Sequence, residues 1–186
     1  MKQLLLLPLV FISLACFAQQ DSVPEPDHAG RPYFLYDGKL LSLERADAVY
    51  DVNAVAFGYG GSNSYYSVLD PSSSIRFKHA LPRLFIKLEG DVDVEDNPLI
   101  VSIGEVKKGR RKFEITGRGM FGSAKDIRGK FISPKLKKIR GSLYEIIFEQ
   151  QLAPGEYAFL PLSGGGANPA LTTATQTTKI SCFGME

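Results

Sequence analysis

Between residues 143 and 149 apolar and polar side chains follow a period of two: Leu143, Glu145, Ile147 and Glu149 share one parity, Tyr144, Ile146 and Phe148 the other. Successive side chains of an extended chain point to opposite faces, so one face of this segment is wholly apolar and the other mixed. That is the pattern of an antiparallel strand packed on a core on one side and wet on the other. A Pro154-Gly155 turn signal follows, and Glu156, Tyr157, Ala158 and Phe159 continue as a second strand.

The same alternation recurs along the chain. Tyr33 to Tyr36 and Lys39 to Glu44 flank Asp37-Gly38, the dipeptide that best tolerates the positive φ angles of a type I′ hairpin turn. Residues 46–57 carry Val49, Val52, Val55 and Phe57 and read as a strand, although Val49, Val52 and Ala56 also fit a helical spacing. Strands are expected at 74–78 and 84–88, separated by a segment with Pro82, and at 99–106 and 111–116 around Lys107-Lys108-Gly109-Arg110. Shorter ones are expected at 129–132, 135–140 and 179–183.

Many short strands, turn signals every eight to twelve residues or so and no long amphipathic helix predict an all-β protein. A single antiparallel β-sandwich spanning 32–186 is expected, because the glycine-rich loops break the even strand spacing of a closed barrel.

The ends and the cysteines change this picture. Lys2, an apolar run over 4–14 and small residues at Cys16 to Ala18 predict a cleaved signal peptide at 1–18, followed by a disordered leader at 19–31 with Pro24 and Pro26. The apolar run is shorter than the about 20 residues a membrane span needs, so no transmembrane segment is expected after signal removal. The protein is then periplasmic, surface-located or secreted. Lipidation at Cys16 is the rival maturation, with Ser13 and Leu14 fitting a lipobox poorly. Cys182 is then the only cysteine left, so stability rests on a hydrophobic core and not on a disulfide.

The formal net charge is only +2, which argues against a specific nucleic-acid partner, but the charges are unevenly spread. Glu89, Asp91, Asp93, Glu95 and Asp96 crowd one stretch, and residues 107–140 are strongly basic. Asp91, Asp93 and Glu95 alternate on one side of an extended segment and could hold Ca²⁺, yet Asp96 and Ser102 stand where an EF-hand loop needs Gly and Glu. Residues Gly117 to Gly122 match G-x-G-x-x-G, but without the βαβ context that gives this motif its dinucleotide chemistry. His79 with Cys182 is a conceivable thiol site, although a lone cysteine beside Ile180 and Phe183 reads as a small buried apolar residue. The sequence therefore assigns no catalytic residue, no cofactor and no metal.

Residues 152–159, Leu-Ala-Pro-Gly-Glu-Tyr-Ala-Phe, and the terminal Cys182-Phe183-Gly184 resemble a group of uncharacterised exported bacterial β-rich proteins with an L-x-P-G-E-Y-A-F stretch and a C-terminal Phe-Gly strand end. The resemblance implies a secreted β-rich domain and no activity. The expected function is a non-enzymatic envelope binding or structural module, with another cell-envelope protein or polymer as partner. Its candidate surface comprises Tyr59, Tyr65 and Tyr66 beside a glycine loop, with Lys107, Lys108, Arg110 and Arg111. Two alternatives stand beside it: a hydrolase or carbohydrate-acting enzyme using Asp91, Asp93, Glu95 or His79, and an electrostatic binder of anionic polymer or lipid headgroups through the 107–140 tract.

Overall fold

The computed structural model describes residues 23–54, 62–90, 94, 98–118, 128–160 and 177–186. In chain order the strands are β1 (Pro32–Tyr36), β2 (Lys39–Ser42), β3 (Glu44–Ala54), β4 (Ser62–Leu69), β5 (Arg76–Phe77), β6 (Leu84–Lys87) and β7 (Val101–Lys107). They continue with β8 (Arg110–Arg118), β9 (Phe131–Ile132), β10 (Lys135–Arg140), β11 (Leu143–Ile147), β12 (Gly155–Phe159) and β13 (Thr177–Met185). A single 3-10 turn, Arg128–Lys130, is the one helical element among the described residues. The all-β, antiparallel expectation is met, and the segment over β3 is a strand and not a helix.

Two hairpins form as their turn residues dictate. Tyr36 pairs with Lys39 across Asp37 and Gly38, at φ 48° and 70°, and Lys107 pairs with Arg110 across Lys108 and Gly109, at φ 52° and 72°. Both central residues at positive φ are what a type I′ turn requires.

The strands form a five-stranded sheet, β10-β11-β6-β1-β2, and a second sheet in the order β12-β13-β3-β4-β8-β7. In the second sheet β7 pairs back onto β12, Val101 opposite Phe159 and Gly104 opposite Glu156, so six antiparallel strands close into a barrel. This corrects the sandwich expected from strand spacing. Closure depends on a contact between strands far apart in sequence, which spacing does not register.

The barrel is narrow, and its inward positions are small: Ala46, Ala48, Ala158 and Cys182, with Val68, Ile180 and Phe113 filling the remainder. Gly104 faces the same interior; a Cβ there would lie 2.7 Å from the Phe113 ring, so a side chain at this strand position forces the ring to move. The outer wall made by β7, β12 and β13 carries Val101, Tyr157, Phe159, Phe183 and Met185, which pack against Phe34, Leu84, Ile86 and Ile146 of the five-stranded sheet. Phe183 sits at the middle, stacked on Tyr157 at 5.2 Å between ring centroids and flanked by Phe159 at 5.8 Å and Phe77 at 6.0 Å.

Four expectations for the chain around this core need revision. The strands of residues 143–159 do not pair with each other: β11 lies in the five-stranded sheet and β12 in the barrel, with 148–154 crossing between the layers. The side of β11 expected to be wet is covered at Leu143, which packs with Phe85 under Val23. Residues 23–31, expected as a disordered leader, hold no strand yet are tied down: Arg140 Nη2 donates to the Val23 carbonyl at 2.8 Å, Gly30 N to the Lys87 carbonyl at 2.7 Å, and Glu25 pairs with Lys87. Expected strand 74–78 shrinks to β5, which runs parallel to the end of β13. Residues 1–22, with the expected signal peptide and Cys16, lie outside the described residues.

Candidate functional site

The alternation of β8 sends Arg111 and Phe113 into the barrel and Arg110 and Lys112 outward. Arg111 is therefore fully buried, and a buried guanidinium needs both charge and hydrogen bonds to offset its desolvation. It finds them at one barrel end: Nη2 and Nη1 donate to the two carboxylate oxygens of Glu44 at 2.7 and 3.0 Å, and Nε to the Asp70 carbonyl at 3.1 Å. Glu156, buried on β12, lies 3.6 Å away and is held by Arg76 and by Ser73 N at 2.8 Å. Ser73 Oγ also bonds Glu44, and Arg76 Nε reaches Glu186 at 2.7 Å.

This network fastens the segment after β4 and the C-terminal end of β13 over the barrel mouth. Gly184 leaves room beneath it for the Arg76 guanidinium, since a Cβ would approach Arg76 Nη1 to 2.5 Å and push that group aside. Burial works to raise the Glu44 carboxyl, but the bonds from Arg111 and Ser73 outweigh it and hold the group below its ordinary value. With Arg111 on both oxygens and Ser73 on Oε2, this carboxylate is engaged in holding the barrel mouth together.

Cys182 packs inside the barrel with Ala46, Ala48 and Ile180, and burial pushes its thiol up to about 12. His79 is exposed on the loop after β5. The two are not brought together, so the structure forms no thiolate–imidazole pair.

That loop borders a groove of about 500 Å³ between residues 79–83 and 145–152. Leu81, Pro82, Phe148, Leu152 and Met185 supply its apolar lining; His79, Arg83, Glu145 and Glu149 supply its polar one. Arg83 and the two carboxylates are already paired. Arg83 holds both Glu145 oxygens, Nε to Oε1 at 2.7 Å and Nη2 to Oε2 at 3.2 Å, and Lys135 pairs with Glu149. His79 takes a left-handed backbone, φ 66°, and its carbonyl accepts from Gln151 Nε2 at 3.3 Å, tying one wall of the groove to the other.

The surface expected from sequence is dispersed. Arg111 is buried, which corrects its place there: the run Arg110-Arg111-Lys112 crosses the strand, so alternate side chains face opposite ways. Tyr66 is half-buried against the barrel core and meets Tyr50 edge-on at 6.3 Å. Tyr65 is on the outer wall, its hydroxyl donating to Asp51 Oδ2 and accepting from Lys112 Nζ, each at 3.0 Å. Lys107, Lys108 and Arg110 remain together at the hairpin tip. Gly117 and Arg118 lie in β8 opposite Asn63 and Ser62 and open no helix, while 119–122 lie outside the described residues. Tyr59, Asp91, Asp93, Glu95, Asp96 and Asn97 lie outside them as well.

Neither the network nor the groove stood out in the sequence. One signal was present: Glu156 shares its strand parity with Ala158 inside an otherwise apolar segment, and a carboxylate at such a position demands a cationic partner. Comparison of the chain with protein-family models, curated proteins and solved structures yields no match.

Proposed function

We propose that the chain is an exported, non-enzymatic binding module that holds a protein partner in the groove between residues 79–83 and 145–152. The observation that carries this reading is the groove itself: about 500 Å³, within the usual range for ligand sites, apolar within and edged by charges already neutralised in pairs. An apolar partner residue seated there would displace water without stripping an unpaired charge, which favours binding over bond chemistry. The likeness to exported β-rich proteins and the leading apolar run at 4–14 support placement outside the cytoplasm. Among the described residues no helix is long and apolar enough to cross a membrane.

A photo-crosslinker placed at Gln151 in cells tests this directly. It should trap one discrete protein adduct that a crosslinker at Asp51, on the outer barrel wall, does not, and Ile147→Arg should abolish it. If Gln151 and Asp51 trap the same products, or the Gln151 adduct survives Ile147→Arg, the groove is not the site. Mass spectrometry of the mature amino terminus checks export independently, with Gln19 the expected first residue.

A further inference from the structure

The tip of the β7–β8 hairpin combines features that the groove reading does not use. Lys107 and Arg110 face each other across the two-residue turn, and Lys108 occupies the turn itself. Among the described residues none of the three side chains has an ion-pair or hydrogen-bond partner. In register, Leu69 of β4 lies beside Arg110, which lies beside Lys107, so one row across three strands reads aliphatic, cationic, cationic. Leu69 is 61% exposed, and Val106, on the opposite face of the wall at the rim, is 52% exposed. Nearby acids are Glu105, which faces Lys112 across the hairpin, and Asp70, whose backbone bridges Arg110. The cations outnumber them.

We propose that this tip docks the protein on an anionic lipid bilayer. Three unpaired cations match a negatively charged headgroup layer, and each basic residue near such a surface adds attraction. The two aliphatic side chains decide between a bilayer and a soluble polyanion. Leu69 and Val106 gain by entering the headgroup and acyl boundary, whereas a polyanion offers them nothing apolar and is gripped instead through charge and aromatic stacking. The type I′ turn keeps the tip in one shape, so little is lost in ordering it on contact.

Vesicles of phosphatidylglycerol with phosphatidylethanolamine, compared with phosphatidylcholine alone in a co-sedimentation assay at low salt, provide the test. The protein should sediment with the anionic vesicles only. Reversing Lys107, Lys108 and Arg110 to Glu together should lower the partition coefficient by more than about a hundredfold, since losing each cation alone is worth about fivefold. Leu69→Ser with Val106→Ser should weaken binding separately, and Ile147→Arg in the groove should leave it unchanged. All these side chains are exposed, so unchanged thermal melts verify folding. Absence of vesicle binding, or binding indifferent to the triple reversal, overturns the proposal. So does equal binding to soluble polyphosphate with no effect of the Leu69 and Val106 changes, which would make the partner a polymer.

Discussion

Arg111 shows how one side chain acquires its role from parity. Its neighbours Arg110 and Lys112 are surface cations, yet Arg111 is sealed against Glu44 and Glu156 at the barrel mouth. Removing Glu156 from this network leaves the buried Ser73 N–H without its acceptor and takes a counter-charge from Arg76 and Arg111. Glu156→Ala should therefore destabilise the fold by about 3–5 kcal/mol in chemical denaturation, against a much smaller loss for an exposed control such as Glu149→Ala. The pH dependence follows from Glu44. Its folded pKa lies below the ordinary 4.5, so its contribution is fully present above that value and is lost as pH falls through it towards the folded pKa. Thermal melts from neutral pH down to acid should show a loss of stability in that window, and Glu44→Gln should flatten it. Gly104 offers a third check at this scale. A methyl group there overlaps Phe113, so Gly104→Ala should cost about 1–3 kcal/mol and be partly relieved by Phe113→Leu.

Strands were legible in proportion to the size contrast between their faces. β8 alternates large apolar with polar residues, β11 sets an apolar face against a mixed one, β1 is an apolar run ending at a turn signal, and all three were placed within a few positions. β3 was hard to read for a physical reason: its inward residues Ala46 and Ala48 are small because the barrel is narrow, while the larger Val49 sits on the outward face and Val52, of the inward parity, is exposed towards the end of the strand. The hydrophobic contrast is thus inverted along that strand, and periodicity alone hovers between strand and helix. Turn chemistry was the surer guide. Asp37-Gly38 fixed the β1–β2 register, and Lys108-Gly109 created the same geometry at the cationic tip. By contrast, the Pro154-Gly155 signal marked only where β12 begins, because a turn dipeptide cannot say which sheet the next strand joins.

The molecule as a whole is organised by the meeting of two layers. The barrel wall of β7, β12 and β13 and the five-stranded sheet share one core centred on Phe183, which is fully buried and contacts three other aromatic rings. Phe183→Ala empties that centre and should cost roughly 3–5 kcal/mol, measured as a shift of the denaturation midpoint without a change in slope. By itself the sequence determined the all-β class, the type I′ turn at Asp37-Gly38 and most strand positions, since each follows from side-chain chemistry or from neighbours in the chain. Tertiary structure alone decided the barrel, the buried Arg111 network and the groove. Each is made by residues tens of positions apart, such as Val101 with Phe159 or His79 with Gln151, whose meeting depends on the packing of the whole chain.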